Sequence, residues 1–263
     1  MIPRANIIAW STEAPWPTLD QVEQDLLLSR LMIEIAGNPM LGSELTMRGG
    51  TCFHKLRLSQ GRRYSEDLDY VRRSAGGIKD VLDELQAVAS TVGFAQINTT
   101  LGNQPKVLLR DRHTDSGNSL KVKIEINTHE RSPARPIESV PFAVHNDWFT
   151  GTADVSTFIL PELIATKIRA LYQRKKGRDL FDLWLAVNEL GCLPTDIADC
   201  FETYRPTGWT VGLARTNLER KLADRAFRDD LLPLINSWPD SYSIEAGVAV
   251  AMAVLTAIEQ LTK

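Results

Sequence analysis

The sequence is poor in the residues that build disulfide frameworks and small zinc sites. It contains three cysteines and four histidines in 263 residues, and Cys52, Cys192 and Cys200 match neither a disulfide pattern nor a CxxC zinc motif. An odd number of cysteines without such a pattern is typical of a reducing compartment. We therefore expect a cytoplasmic protein.

Long hydrophobic runs are also missing. The most apolar stretch, from Ala246 to Ile258, is shorter than the ~20 residues that span a bilayer. The N-terminal segment lacks the apolar core of a signal peptide. These absences predict that the protein has no membrane role.

The chain has no excess of positive charge. Thirty Lys and Arg residues against 33 Asp and Glu residues give a formal net charge of -3, which excludes a globally basic nucleic-acid coat. The net charge still allows a local basic face, which would be formed by Arg57, Arg62, Arg63, Arg72, Arg73 and the run 174–178. With 43% hydrophobic and 24% charged residues, the chain has the composition of a folded soluble protein rather than a disordered one.

Periodicity divides the chain into two predicted domains, 1–156 and 157–263. The first alternates helical and strand-like patterns, which predicts an α+β domain with a small mixed sheet. The second is almost entirely helical in pattern, with four to six helices. Helices are predicted from Thr18 or Asp20 to Ala36, after the Gly49-Gly50 turn, at 78–92, from Pro161 onward and at 243–261. Strands are predicted at 68–70, 106–110, 119–127 and 157–160. Pro133, Pro136 and Pro141 are predicted to lie in a connection.

The first candidate site combines a glycine turn with two carboxylates. Gly49-Gly50-Thr51 opens a short predicted helix, where a polyphosphate can approach backbone amides and the positive end of the helix dipole. Ser65-x-Asp67-x-Asp69 follows, and residues i and i+2 of a strand share one face. Two carboxylates placed in this way can hold one or two Mg²⁺ ions. Taken singly, each motif is also compatible with an ordinary turn or a solvated acidic surface.

A third carboxylate lies on the clearest predicted strand, SLKVKIEIN. Leu120, Val122, Ile124 and Ile126 alternate with polar residues, so Glu125 points away from the core. If this strand neighbours the Asp67–Asp69 strand, Glu125 completes a three-carboxylate metal cluster, with Lys123 or Lys121 near the phosphates. The alternative is an exposed Lys/Glu strand face.

The helical half contributes two further candidates. Lys167 lies at the edge of a predicted buried stripe, where its stem can be covered while the ammonium stays available. Asp182 is interleaved in an apolar run, and its burial without a partner is costly, so it is paired or functional. We expect both to face the sheet site. The run 174–178 is either a solvated loop or a contact to phosphates.

Taken in order, these residues resemble the AbiEii/AbiGii toxin family, which comprises nucleotidyltransferase-like toxins of bacterial toxin–antitoxin loci and includes the mycobacterial MenT group. The elements that carry the resemblance are Gly49-Gly50-Thr51, Lys55, Ser65-x-Asp67-x-Asp69, Lys123-x-Glu125, Lys167 and Arg178-Asp179-x-x-Asp182. The resemblance implies a DNA-polymerase-β-like nucleotidyltransferase core followed by a helical C-terminal domain. It matches Ser65 and Asp67 to the S-x-D element, Asp69 to the second metal carboxylate, and Lys167 and Asp182 to the later essential pair.

The expected activity is transfer of a nucleoside monophosphate from an NTP to an acceptor hydroxyl, with Mg²⁺ or Mn²⁺ as cofactor. Asp67, Asp69 and Glu125 are the expected metal ligands, and Lys167 and Asp182 complete the catalytic set. Gly49, Gly50, Thr51, Ser65 and Lys55 are expected to bind the nucleotide. The resemblance implies the tRNA 3′ end as acceptor, a block of translation, a cognate antitoxin as partner and no DNA substrate.

Three alternatives remain at this stage. The acceptor could be a small molecule or a protein side chain. The chain could instead be a catalytically silent module that binds a partner, although the five polar residues Ser65, Asp67, Asp69, Lys167 and Asp182 argue against it. A Cys52–His54 nucleophile is the weakest alternative, because residues i and i+2 of a helix face apart. The sequence leaves open which NTP is used.

Overall fold

The computed structural model describes residues 2–261 and contains two compact units. The first comprises the residues up to Pro133 together with Ile137–Phe158, and the second comprises Ala134–Pro136 together with the residues from Ile159 onward. Buried Glu162 explains why the short segment belongs to the second unit. Its carboxylate accepts the amide N–H of Ala134 at 2.7 Å and that of Arg135 at 3.0 Å.

The helices and strands are as follows in chain order. The first unit contains α1 (Arg4–Trp10), α2 (Leu19–Gly37), α3 (Pro39–Glu44), β1 (Leu45–Arg48), α4 (Gly49–Leu56), β2 (Asp67–Arg72), α5 (Lys79–Val92), β3 (Gln96–Thr100), β4 (Lys106–Arg112), β5 (Ser119–Asn127), β6 (Glu138–Asn146) and β7 (Phe149–Thr157). The second unit contains α6 (Leu160–Gln173), α7 (Gly177–Asn188), α8 (Pro194–Phe201), a 3₁₀ turn (Glu202–Tyr204), α9 (Val211–Leu222), α10 (Arg225–Arg228) and α11 (Ile244–Leu261).

The strands of the first unit form one mixed sheet. Within residues 2–261 it has seven strands in the order β3-β4-β5-β2-β1-β7-β6. The β2–β5 and β1–β7 pairs are parallel, and the remaining neighbours are antiparallel. The predicted α+β class with a mixed sheet is therefore confirmed.

The alternation predicted for β5 is present. Leu120, Val122, Ile124 and Ile126 are each no more than 1% exposed, and their intervening neighbours lie on the more open face. Burying such side chains contributes roughly 1.5–3 kcal/mol each, which holds the register of this strand. The register places β5 beside β2, as the site hypothesis requires.

Two helix starts follow the sequence signals. The Thr18 hydroxyl accepts the backbone N–H of Gln21 at 3.2 Å, and the Gln21 side-chain oxygen accepts the backbone N–H of Thr18 at 3.2 Å. The two bonds form a capping box. Pro161 lies in the first turn of α6, where its missing N–H has no helical partner to lose.

The predicted connection through Pro133, Pro136 and Pro141 is wrong at Pro141, because the hairpin of β6 and β7 begins at Glu138. The strand predicted at 157–160 instead ends at Thr157. Pro141 lies inside β6, which is an edge strand and so tolerates a residue without an N–H. The short elements α1, β1 and β3 also had no clear signal in the sequence.

Helix α11 is apolar along most of its length. By length and composition alone it is the one helix within residues 2–261 that could cross a membrane, and the core helix of a soluble protein passes the same test. Gly247, Ala251, Val254 and Leu255 are buried, and the helix contacts α7, α8 and α9. One face of α11 therefore packs against the other helices of the second unit.

Candidate active site

Three carboxylates lie on neighbouring strands at one face of the sheet. Asp67 and Asp69 begin β2 and are partly exposed, whereas Leu68 between them is fully buried. In the parallel register of β2 and β5, Asp69 lies beside Glu125. The strand alternation thus places Asp67, Asp69 and Glu125 on the same face, as the sequence predicted.

A lysine lies between two of these carboxylates. Lys123 is the register neighbour of Asp67, and its Nζ lies 3.1 Å from Asp67 Oδ2 and 3.1 Å from Glu125 Oε1. No three Asp, Glu, His or Cys side chains anywhere in residues 2–261 converge into a ready metal-binding group. The carboxylate oxygens are nevertheless the donor type that Mg²⁺ and Mn²⁺ prefer, and here they already share one positive charge.

The pKa values of Asp67 and Lys123 reflect the partial burial of both side chains. Burial raises the pKa of Asp67 to about 6, although the neighbouring Lys123 ammonium opposes this rise. Burial also lowers the pKa of Lys123, but Asp67 and Glu125 outweigh that effect and the net direction is upward. The charged form of Asp67 is therefore less favoured than in a free aspartate even with Lys123 beside it, and a divalent cation would favour it further.

The glycine turn brings the start of α4 against the carboxylate face. Gly49 has φ +86°, and a Cβ there would lie 2.2 Å from Asp69 Oδ2. A Cβ on Gly50 would lie 2.7 Å from Arg63 Nη2 and 3.0 Å from Ser65 Oγ. Gly49 therefore requires glycine both for the close approach and for the backbone conformation, whereas a side chain at Gly50 would require the end of the Arg63 side chain to shift.

Thr51 ties the first turn of α4 to the segment that leads into β2. Its hydroxyl donates to the backbone carbonyl of Asp67 at 2.6 Å and lies 2.9 Å from the Ser65 hydroxyl. The Gly49-Gly50-Thr51 turn and the Ser65-x-Asp67-x-Asp69 segment are therefore one structural unit. This juxtaposition was predicted from the sequence, but Arg63, which is 2% exposed beside Gly50, was not assigned to it.

A cavity of about 200 Å³ adjoins α4 and is lined by Thr51, Lys55, Arg63 and Ser65, among others. Lys55, predicted to bind nucleotide, donates to buried Asp25 at 2.8 Å. The indole N–H groups of Trp10 and Trp16 donate to the same carboxylate at 2.8 and 2.9 Å. Lys55 is thus held at the wall of this cavity by a partner that the sequence did not indicate.

A second cavity, of about 340 Å³, adjoins the other side of the carboxylates. Asp69 and Glu125 line it together with the polar side chains of Arg48, Asn103, Gln104, Asn127 and His129. The Arg48 guanidinium donates to Glu130 at 2.6 Å, so its charge is already balanced. These lining residues come from strand ends and from the turn before β4, and sequence analysis found no signal in them.

In the second unit, Lys167 and Asp182 are brought together. Lys167 Nζ lies 2.8 Å from Asp182 Oδ2 and 3.5 Å from Asp179 Oδ1, and all three side chains are buried. Arg174 donates to both oxygens of Asp179 at 2.6 and 2.7 Å. Asp182 is therefore paired, which is one of the two outcomes expected for it, and Asp179 of the same Arg178-Asp179-x-x-Asp182 element belongs to this network.

The predicted basic face is wrong in part. Arg63 and Arg72 are 2% and 8% exposed, so neither can contribute to an exposed surface. The positive run 174–178 is compensated by carboxylates of the same unit. Lys175 pairs with Asp224, Lys176 and Arg178 pair with Asp230, and Arg174 pairs with Asp179.

Cys52 and His54 do not form a catalytic pair. The Cys52 thiol is buried, 2.9 Å from the Thr157 hydroxyl, and His54 Nδ1 accepts the backbone N–H of Arg62 at 3.2 Å. Each side chain therefore has a different partner on a different element, which supports rejection of the cysteine-nucleophile alternative.

The chain shares its fold with solved structures at low sequence identity. Comparison with curated protein sequences gives no match. Among solved structures, MenT4, a nucleotidyltransferase toxin from Mycobacterium tuberculosis H37Rv, is 18% identical with a TM-score of 0.57, covering 100% of this chain and 90% of that one. JHP933 from Helicobacter pylori is 15% identical with a TM-score of 0.56, covering 92% of this chain and 93% of that one.

At these identities the structural matches establish a shared fold. The family model described as nucleotidyl transferase AbiEii toxin of type IV toxin–antitoxin systems matches residues 30–243, which include every predicted site residue. The chain therefore belongs to the AbiEii nucleotidyltransferase toxin family.

Proposed function

We propose that this chain transfers a nucleoside monophosphate from an NTP to the 3′-terminal hydroxyl of tRNA and so blocks translation in the cytoplasm. The observation that carries the proposal is the register of β2 and β5, which places Asp67, Asp69 and Glu125 on one face beside the Gly49-Gly50 turn. Nucleotidyl transfer uses acidic groups that hold a divalent cation and a site that binds the phosphates, and a helix start can supply the second.

The triphosphate belongs at the start of α4. Backbone N–H groups of the first turn have no helical partner, and the helix dipole adds positive potential there. Ser65 presents its hydroxyl at the same place, 2.9 Å from Thr51 Oγ1. Arg63 lines the adjoining cavity of about 200 Å³, and so does Lys55, whose ammonium is paired with Asp25. These groups bind and orient the phosphates.

The carboxylates fit a divalent cation. Asp67 and Asp69 would hold Mg²⁺ or Mn²⁺, with Glu125 alongside. Such an ion supplies positive charge that offsets the charge on the transferred phosphoryl group. The burial that raises the pKa of Asp67 to about 6 favours a cation there for the same reason.

In this proposal Glu125 accepts the proton of the acceptor hydroxyl. The hydroxyl oxygen then bonds to the α-phosphorus, the bond from that phosphorus to the bridging oxygen breaks, and pyrophosphate leaves. The cavity of about 340 Å³ that adjoins Asp69 and Glu125 is lined by amide side chains and by an arginine already paired with Glu130. Such a lining suits the base and sugar edges of an RNA end better than a free triphosphate.

Lys167 is proposed to bind the triphosphate, with Asp182 as the group that orients it. A charge-assisted contact of this kind contributes roughly 1.5–3 kcal/mol. The 2.8 Å ion pair between the two buried side chains supports the orienting role. A cognate antitoxin as inhibitory partner follows from membership of a toxin–antitoxin family.

The proposal is tested by incubating the purified chain with each labelled NTP and with separate pools of total tRNA, cell protein and small metabolites. We expect label in tRNA with one or more NTPs, none with Asp67→Asn, and full labelling with Asp83→Asn. Asp83 is a matched control because it lies exposed on α5, paired with Lys79.

Label confined to the protein or small-molecule pool would show that the acceptor is a protein side chain or a small molecule instead of tRNA. Absence of label in every pool, from a folded chain that still binds its antitoxin, would favour the silent binding module.

A further inference from the structure

We propose that Lys123 is a resident counter-ion for the Asp67 and Glu125 carboxylates, which a divalent cation must displace before it can bind. The inference rests on the proposed function. It adds a positioning residue that couples metal binding to nucleotide binding.

The geometry is that of one cation shared by two anions. Lys123 Nζ is equidistant, at 3.1 Å, from Asp67 Oδ2 and Glu125 Oε1. The two carboxylates lie on neighbouring strands, Asp67 directly beside Lys123 in the register and Glu125 two residues along the same face. An ammonium is a compact point charge with three donors, so it can bridge two carboxylates much as a metal ion would.

Lys123 and a divalent cation cannot share these oxygens. Two like charges within about 3–4 Å repel even at a partly solvated site, and the ammonium would have to leave as the metal arrives. Departure is feasible because the three side chains are about one third exposed, at 32–33%, and the lysine stem is flexible. A displaced ammonium can then pair with a phosphate of the incoming nucleotide.

This arrangement has two consequences for binding. Without nucleotide, Lys123 weakens metal binding, because the metal must break two ion pairs. With nucleotide, the released ammonium gains a phosphate partner, so metal and nucleotide bind cooperatively. Lys121 provides a matched control, since it lies on the same face of β5 two residues away, is exposed, and has no ion pair within residues 2–261.

The experiment measures Mn²⁺ binding to the full chain by electron paramagnetic resonance, with and without a non-hydrolysable NTP analogue. Without nucleotide we expect Lys123→Met to bind Mn²⁺ at least about tenfold more tightly than wild type, which is the effect of removing one nearby unit charge. Lys121→Met should stay within about twofold of wild type. With the analogue, the advantage of Lys123→Met should shrink or reverse. Lys123→Gln serves if the methionine variant is unfolded by circular dichroism.

Equal or weaker Mn²⁺ binding by Lys123→Met would overturn the inference while leaving the proposed function intact, provided wild type still labels tRNA. If wild type and both variants bind no Mn²⁺ and wild type labels no acceptor, the proposed function itself fails, and this inference fails with it.

Discussion

Lys167 Nζ lies 2.8 Å from Asp182 Oδ2, with both side chains buried between helices α6 and α7. The side chains are 6% and 0% exposed, so the ion pair is largely shielded from water. A buried ion pair is weak evidence for net stability, but removing one partner leaves an uncompensated buried charge. The pair can therefore be probed separately for stability and for activity.

For stability, we expect Asp182→Asn to lower the free energy of unfolding by about 3 kcal/mol, since it strands the Lys167 ammonium with only the more distant Asp179. The double variant Lys167→Met/Asp182→Asn should lose much less than the sum of the single losses. Urea unfolding measures both. Asp199→Asn, at an exposed ion pair of the same unit, should change stability by less than about 0.5 kcal/mol. Additive losses would show that the two side chains act independently.

For activity, Lys167→Ala should weaken NTP binding about ten- to a hundredfold, the equivalent of one charge-assisted contact. If Asp182 acts by orienting Lys167, a folded double variant should bind NTP little worse than the weaker single variant. Equilibrium binding of a fluorescent NTP analogue checks this. If the Asp182→Asn variant instead slows transfer without changing NTP affinity, Asp182 acts on the acceptor and not through Lys167.

Gly49→Ala should abolish transfer. The substitution puts a Cβ 2.2 Å from Asp69 Oδ2 and forces an L-residue to φ +86°, which costs about 1–3 kcal/mol and displaces the carboxylate. Gly77→Ala is the control, because nothing lies within 4 Å of its Cβ position. Thermal unfolding and tRNA labelling should both distinguish the two variants. A fully active Gly49→Ala chain would contradict the role given to the close approach.

Asp67→Asn should lose activity yet gain stability at neutral pH. Burial raises the pKa of Asp67 from 3.8 to about 6 in the folded chain, so between these values the folded state holds more proton than the unfolded state. The stability of wild type therefore falls as pH rises from about 4 to 6, and asparagine removes that loss. We expect a gain of about 1–2 kcal/mol at pH 7, discounted because the side chain is 32% exposed, and no gain at pH 4.

Urea unfolding of Asp67→Asn at both pH values provides the measurement, and Asp83→Asn should show no such pH dependence. An asparagine variant that is less stable than wild type at pH 7 would mean that the Lys123 ion pair outweighs the burial of Asp67.

Removing positive charge at Lys175 and Lys176 tests the RNA contact. If these side chains bind phosphates despite their ion pairs with Asp224 and Asp230, each glutamine substitution should reduce the log–log salt slope of tRNA binding by roughly 0.7–0.9. Lys79→Gln, at an exposed ion pair of α5, should leave the slope unchanged. An unchanged slope in the double Lys175→Gln/Lys176→Gln variant would make this run an ion-paired surface without an RNA role.

Short sequence patterns predicted the features that depend on residues close together in the chain. The capping box at Thr18, Pro161 in the first turn of α6 and the alternation of β5 each depend on residues a few positions apart, and each is present. The i, i+2 spacing of Asp67 and Asp69 likewise determines their shared face once β2 is a strand. Short strands such as β1 and β3 lack enough periodicity to be found in this way.

Local sequence patterns sufficed to name the residue types at the candidate site and those that share a strand face. The pairing of strands, the position of Lys123 between Asp67 and Glu125, and the burial of Arg63 beside Gly50 emerge from the fold alone. The fold also matches the positive run 174–178 with Asp179, Asp224 and Asp230. The reason is physical: pairing of strands and charges far apart in the chain depends on the packing of whole elements, which no short window of sequence encodes.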